Sequence, residues 1–505
     1  MADNSKSEGK LADDQYVSEK DHVYVLDVDN AKLAELGYKS EFKREFSLLE
    51  TCAFSFSIMG IVASVSSTLS FGLLSGGHVG LVWGWFIPSF FRSLRTSAGL
   101  YYFSAKMAPK KWAPLACWVT GWANITGQVT LVCSIDFTCA QMITTAIAVN
   151  SNGETVLSLG ATYGILIAIL FSHGVVCSAA TRILARLNIF YVVVNVGTTL
   201  AAIIALLVLS GDNKVSTKDA FTLFENNTGW MNNGWAFMLA FTAPMWTLTG
   251  SAFISGADRS FQLQVGVGAT ASLGWLLLIS TSFVITSVSD LLSSPLELPL
   301  PMGQIFLNVL GKRGMLAIWS FIIVVQYVTG AAQGVDASRV VFAFARDNAL
   351  PGSRWWKKMN SNSVPVNAVW FVMGWAAIFG LLGFSVTALT SLAGASVIGL
   401  YTSYAAPIFL RITSGRDKFE PGPFNLGRWS IPIGIIAVSW VSFVTTMLVF
   451  PPGQAPTPQT MNYAVLIVMA VFIFATVYWL TSAHKWFHGP VRNVDGVVEK
   501  DATQM

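Results

Sequence analysis

Long apolar stretches, eleven or twelve of them, follow one another almost without charge through this chain of 505 residues. No water-soluble core absorbs that much apolar helix. Such a chain folds as a bundle crossing a bilayer, because hydrocarbon leaves the backbone only a helix or a closed barrel in which to satisfy its polar groups. The charge content agrees: 11% of the residues are charged, against about 25% in a soluble globular protein. Each crossing needs about 20 apolar residues, so twelve take up about half of the chain. Little remains for a soluble catalytic domain, and no enzyme is expected.

Hydropathy places span 1 at 47–73, a short span 2 at 77–91, a long span 3 at 113–148, and spans 4 and 5 at 161–180 and 185–210. Spans 6 to 10 follow at 235–253, 262–287, 315–343, 365–384 and 387–410, and spans 11 and 12 at 430–450 and 461–482. The expected organisation is a disordered cytosolic tail over 1–46, a transmembrane domain over 47–483 and a cytosolic tail over 484–505. The first tail carries seven Lys/Arg and eleven Asp/Glu, with no basic segment leading into a short apolar one, so it does not read as a signal peptide.

Loop charges orient the bundle. With the first tail inside, sixteen Lys/Arg fall in inner loops, among them Arg92, Lys110, Arg346 and Arg416. Four fall in outer loops: Lys214, Lys218, Lys312 and Arg313. Basic residues collect on the cytosolic side, so both termini are expected there. The sequon Asn226-Asn227-Thr228 lies in the largest outer loop, which makes Asn226 an expected glycosylation site. Cys52, Cys117, Cys133, Cys139 and Cys177 all lie in apolar segments and read as buried free thiols. Neither they nor the five histidines have metal-ligand spacing, and no cofactor or nucleic-acid motif is present. Trp83, Trp85, Trp112, Trp118, Trp122, Trp230 and Trp235 lie near predicted span ends and are expected to anchor at the membrane interface.

Two spans are interrupted. In the first, Ser55 and Ser57 precede Met59-Gly60-Ile61, and Gly60 lets the backbone leave helical geometry at little steric cost. A half-helix restarting there would offer amide N–H groups and its positive dipole end to a carboxylate. In the sixth, Pro244 removes a backbone donor, and Trp246, Thr247 and Thr249 follow. Freed carbonyls and hydroxyls suit a polar solute, and the Trp246 ring suits a cationic amine. Two broken spans in matching halves mark a mid-membrane solute site. Asp136 in span 3 is a carboxylate at membrane depth, read as a partner for a substrate amine or a proton, or as hydrated near the interface. Gln326 and Asp336 in span 8 are weaker candidates of the same kind, with Arg339 one turn beyond Asp336.

Leu33-Ala34-Glu35-Leu36-Gly37-Tyr38-Lys39, Phe54-Ser55-Phe56-Ser57-Ile58-Met59-Gly60 and Phe344-Ala345-Arg346-Asp347-Asn348-Ala349-Leu350-Pro351 form one set of motifs. With Phe224-Glu225-Asn226-Asn227-Thr228-Gly229-Trp230, Pro421-Gly422-Pro423-Phe424 and His488-Gly489-Pro490, the set resembles the fungal GABA, choline and polyamine permeases. These belong to the amino acid–polyamine–organocation superfamily, and the GABA permease branch is the nearest. The resemblance runs from Leu33 to Pro490. It implies an all-α membrane protein of about twelve transmembrane helices, a LeuT-like five-plus-five inverted repeat with helices 1 and 6 broken. It implies proton-coupled uptake, with a small amine or amino acid held by Ser57, Met59, Gly60 and Ile61 and by Trp246, Thr247 and Thr249. Two departures stand out. The family pattern between span 2 and Tyr101-Tyr102 is shortened here, leaving an apolar run of about 22 Å at 1.5 Å per residue. The acidic cluster usual after the span 6 break is absent from Gly250–Ser260.

The sequence therefore leads to a multi-pass membrane protein, placed in the plasma rather than the vacuolar membrane, that moves a GABA-like solute by rocking spans 1, 2, 6 and 7 against the rest. Choline or a polyamine is the alternative cargo, and a non-transporting sensor or truncated product the alternative class.

Overall fold

The computed structural model describes residues 56–93, 100–179, 181–249, 260–293, 296, 298–361, 363–385, 387–418 and 427–490. The expected tail over 1–46, residues 491–505 of the expected tail over 484–505, Cys52, and the two shortened family segments at 94–99 and 250–259 lie outside the described residues. Every element below belongs to one compact unit, Glu45–Asn360 with Val364–Gly489.

The described residues are helical wherever they are regular. In chain order the helices are α1 (Ile61–Ser93), α2 (Leu100–Met107), α3 (Ala113–Asn150), α4 (Leu159–Ala179), α5 (Thr181–Leu209), α6 (Thr217–Thr222), α7 (Asn233–Leu239) and α8 (Thr242–Thr247). There follow α9 (Ser260–Val284), α10 (Val288–Leu292), α11 (Pro301–Arg346), α12 (Ser353–Trp356), α13 (Val366–Phe379), α14 (Ala388–Thr413), α15 (Ser430–Val449) and α16 (Ala464–Thr481). Ten helical segments are long and apolar enough to cross a membrane. The protein is an integral multi-pass membrane protein. α16 illustrates why: only Ala464, Ile467 and Ala475 are buried, while Leu466, Ile473, Val477 and Leu480 lie open. In water that face would be a liability; in lipid it is ordinary surface.

α1 holds both of the first two predicted spans. Gly77 has φ 56° and ψ −129°, so the helical path breaks and folds back on itself. The two arms then run side by side. A Cβ on Gly80 would strike the Gly72 carbonyl, and Gly72 and Gly80 share a small hollow with Val65, Leu69, Leu81 and Trp85. Glycine on both arms permits that approach, the usual way helices pair when lipid supplies no hydrophobic drive. The loop after α6 crosses the bend: Val79 N donates to Leu223 O, Glu225 N to Gly76 O and Asn227 N to Leu74 O. The second arm, down to Ser93, is longer than the apolar run that defined span 2.

The predicted sixth span is present as α7 and α8, separated at Ala240 and Phe241. The cause is Pro244. It cannot donate to Ala240 four residues back, and its ring crowds that carbonyl. Backbone bonds there tighten to three-residue spacing, from Ala240 N to Phe237 O and from Phe241 N to Met238 O. α11 also contains a break, at Gly311 (φ 69°, ψ 175°), which sets a short arm before the long eighth span.

Packing pairs reveal the repeat. Number the crossings as predicted, with the arms of α1 as 1 and 2, α7–α8 as 6, α9 as 7, α11 as 8, α13 as 9 and α14 as 10. Crossing 3 packs on 10 and 8 on 5; 3 on 4 and 8 on 9; 3 on 9 and 8 on 4; the α1 arms on 5 and α8 on 10. Each pair becomes its fellow when every crossing is exchanged for the one five places away. Five is odd, so exchanged helices run in opposite directions, as an inverted repeat requires. Crossings 3 and 8 pack on each other at the centre. α3 is buried along most of its length.

The tryptophans correct one expectation. Trp83 and Trp112 are open, but Trp85, Trp118 and Trp122 are buried between helices. Trp85 Nε1 donates to Ala271 O and Trp118 Nε1 to Ala475 O, so a neighbouring backbone supplies the partner that headgroups or water would give at an interface. Among the described residues, Cys117, Cys133, Cys139 and Cys177 form no disulfide and are buried, as their segments imply.

Candidate functional site

The first helix breaks where the sequence places it. Residues 56–59 form one helical turn, Gly60 stands at φ 37°, and α1 starts at Ile61. Gly60 N still donates to Phe56 O at 3.3 Å and Ser64 N to Gly60 O at 2.7 Å, so the break is a local swerve between two helical pieces. Ser64 Oγ reaches back to Met59 O at 2.9 Å, satisfying a carbonyl that the break leaves without a regular helical partner. The amides of the first α1 turn, at Ile61 and beyond, carry the positive end of the helix dipole.

Two other helices hold the break. Thr329 Oγ1 of α11 donates to Ser57 O at 2.9 Å, and Asn195 Nδ2 of α5 approaches Phe56 O at 3.5 Å. Glycine at position 60 is required twice over: its φ is left-handed, and a Cβ there would collide with the Thr329 hydroxyl.

The far end of α8, the second piece of the interrupted sixth span, lies against the first break. Met59 packs with Leu248 and Val267, which places the end of α8, the swerve of α1 and the start of α9 around one point. Helical geometry stops at Leu248, where Thr249 N donates to Trp246 O in a tightened last turn. Trp246 is buried, and its Nε1 donates to Ser134 Oγ of α3 at 2.9 Å. The Thr247 hydroxyl donates to Ala243 O and that of Thr249 to Met245 O. Each hydroxyl spends its hydrogen on the helix and leaves its oxygen as an acceptor, the polarity an ammonium needs. Ser57, Met59, Ile61, Trp246, Thr247 and Thr249 are all sealed from solvent.

Asp136 does not join them. It is wholly buried rather than hydrated, and its Oδ2 pairs with His173 Nδ1 of α4 at 3.1 Å. Ser134, two residues earlier, faces Trp246, and two residues at about 100° each turn Asp136 to nearly the opposite side of α3. Gln326 also has another task. Its Nε2 donates to Ile135 O at 3.0 Å and to Thr138 Oγ1 at 2.6 Å, tying α11 to α3. Asp336 Oδ2 accepts from Gln128 Nε2 at 3.0 Å, a bond across to α3 that spacing along its own helix did not anticipate.

Sequence reasoning missed Ser134, Thr329, Asn195 and His173. Each is a small or uncharged polar residue on a largely apolar helix, and that signal becomes specific only once the partner helix is known. Asn226, the expected glycosylation site, donates through Nδ2 to Trp230 O at 2.7 Å and to Asn233 Oδ1 at 3.0 Å. Its Oδ1 accepts from Thr228 N and Thr228 Oγ1. Both amide hydrogens are thus engaged in holding the loop.

A paired set of broken helices inside an inverted repeat, with both pieces reaching a buried centre, is the architecture of a membrane carrier. The comparisons place that carrier. The amino acid permease family model matches residues 46–472, and the chain belongs to that family. It is 35% identical to an uncharacterized amino-acid permease of Schizosaccharomyces pombe, over 97% of this chain and 95% of that protein. It is 33% identical to the amino-acid permease BAT1 of Arabidopsis thaliana, over 94% and 98%. It is 34% identical to the GABA-specific permease of Saccharomyces cerevisiae, over 92% and 86%.

Proposed function

We propose that the protein is a proton-coupled secondary transporter of a small amino acid, GABA or a close analogue, working by alternating access. The observation that carries the reading is Met59 packed on Leu248, which joins the break of the first span to the end of α8 at one buried point. The substrate carboxylate binds the first amides of α1 from Ile61 onward, where peptide dipoles converge. Its ammonium lies against the acceptor oxygens of Thr247 and Thr249 and the ring of Trp246. Neither group of the solute then loses its hydrogen bonds on leaving water, which is the main cost of burying a zwitterion.

The family match and the likeness to a GABA-specific permease support this cargo over choline. Choline has no carboxylate and would leave the α1 amides unused. Access comes from rocking of the α1 arms, α7, α8 and α9 against the remaining helices. The loop-charge bias supports cytosolic termini, and we place the protein in the plasma membrane.

The test is uptake of tritiated GABA by cells that express the protein and lack background uptake, with unlabelled GABA, choline and putrescine as competitors. GABA should compete best, and a protonophore should stop accumulation. Better competition by choline or putrescine would move the assignment to those amines. No transport of any of the three would remove it.

A further inference from the structure

The described membrane core holds one histidine–carboxylate pair to which the substrate site gives no task. Asp136 in α3 and His173 in α4 are both fully buried, with Nδ1 and Oδ2 3.1 Å apart. With Asp136 ionised, its carboxylate accepts and Nδ1 donates the hydrogen between them. The pairing is incomplete on both sides. Asp136 Oδ1 and His173 Nε2 each lack a hydrogen-bond partner among the described residues. An open acceptor nitrogen beside a half-satisfied carboxylate, with water excluded, is costly and marks a group retained for use.

The surroundings keep the pair in place while leaving those two atoms free. The Tyr327 ring of α11 lies 4.4 Å from the His173 ring, centre to centre, and its hydroxyl bonds Ser172 Oγ at 2.9 Å. α11 passes close enough that only glycine fits at position 330. A Cβ there would strike Asp136 Oδ1 and come within 2.7 Å of His173 Cε1. The other titratable groups facing the pair are the thiols of Cys133 and Cys139 on α3 and of Cys177 on α4, the phenol of Tyr327 and, beyond it, that of Tyr191 on α5. α13 brings Trp370 and Met373 to this side, and neither titrates.

The pair also stands directly behind both tethers of the substrate site. Asp136 is two residues from Ser134, which holds Trp246 on α8. Gly330 follows Thr329, which holds Ser57 at the first break. A change of charge between α3, α4 and α11 therefore acts on the two helices that grip both broken segments.

We propose that the Asp136–His173 pair is the seat of the coupling proton. A proton from water on one side bonds to the lone pair of His173 Nε2, and the resulting imidazolium and the Asp136 carboxylate form a pair of zero net charge. Return of that proton to water on the other side breaks the same N–H bond and restores the anionic pair. The neutral state is the cheaper one to seal in a low-dielectric core, so proton binding favours closure around the substrate and proton loss favours reopening. This inference rests on the proton-coupled reading above.

The experiment compares wild type with Asp136→Asn and His173→Gln, each reconstituted in proteoliposomes at matched protein amounts. Tritiated GABA is followed in two modes: net accumulation driven by an imposed pH gradient, and one-for-one exchange into vesicles preloaded with unlabelled GABA. Both variants should lose pH-driven accumulation by about ten-fold or more, a coupling of ordinary size. Their exchange should stay within about two-fold of wild type, because exchange needs no net proton movement. Gradient-driven accumulation with a wild-type pH profile in both variants would overturn the proposal. So would loss of exchange together with accumulation in folded protein, since the pair would then serve binding or packing. A wild type whose accumulation ignores the pH gradient would instead remove the coupled reading itself.

Discussion

Thr329 and Gly60 compete for one position: the Thr329 hydroxyl, bonded to Ser57 O at 2.9 Å, stands where a Cβ on Gly60 would be. The hydroxyl that fixes the first break is thus the atom that forbids any side chain at it. Gly60→Ala suffers both the left-handed φ, about 1–2 kcal/mol for a residue with a Cβ, and the collision. Thr329→Ala removes only the collision, at the expense of the Ser57 bond. Gly60→Ala should lower the melting temperature in detergent and abolish tritiated GABA uptake. Adding Thr329→Ala to it should restore part of the melting temperature, although Thr329→Ala alone lowers it. Two losses that simply add would show that the hydroxyl and the glycine are independent.

Trp246 and Ser134 form the matching tether on α8, the second piece of the interrupted sixth span. A buried neutral hydrogen bond contributes about 1 kcal/mol net, about five-fold in an equilibrium constant. Trp246→Phe and Ser134→Ala should each raise the KM for GABA by about that factor, with little change in the amount of protein at the membrane. The double variant should be no worse than the poorer single one, because both remove the same bond. Kinetics of labelled uptake in the four proteins decide this.

The two breaks were legible because their causes are local. Gly60 and Pro244 act on their own backbones, and the sequence locates both interruptions without knowledge of any neighbour. The fold-back at Gly77 was legible as the short gap Leu74-Ser75-Gly76 between two apolar runs. What could not be read was rotation about each helix axis. α3 is apolar nearly all round and buried nearly all round, so no amphipathic stripe indicates which side Asp136 faces. Its direction is set by His173 and Gly330, which lie 37 residues away along the chain and on another helix. The same blindness placed buried Trp85 and Trp118 at the interface: position along a helix is visible in sequence, whereas the neighbour that covers it is not.

The loop at Asn226 yields a prediction opposite to the one its sequon invites. Glycosylation replaces one hydrogen of the side-chain amide, and Asn226 uses both, on Trp230 O and Asn233 Oδ1. The folded loop is therefore expected to carry no sugar. Treatment of the purified protein with an endoglycosidase that removes asparagine-linked glycans should leave its electrophoretic mobility unchanged. Asn226→Gln should also lower thermal stability, by about 1 kcal/mol for the disturbed loop bonds. A mobility shift that disappears in the variant would contradict the arrangement.

The contact between α3 and α14 depends on backbone approaching backbone. A Cβ on Gly399 would come within 2.7 Å of Gly127 N and 2.8 Å of Ala123 O, and these are main-chain atoms that cannot swing aside. Gly374 in α13 is the natural contrast, since a Cβ added there meets nothing within 4 Å. Both are helical glycines, and alanine is intrinsically better than glycine in a helix by about 0.5–1 kcal/mol. Propensity alone therefore predicts that both alanine variants are stabilised. Packing predicts that Gly374→Ala melts at or above the wild-type temperature, whereas Gly399→Ala melts several degrees lower and is recovered in smaller amounts. Equal behaviour of the two would mean that α14 can shift away from α3 cheaply, and that the central crossing is looser than its glycines imply.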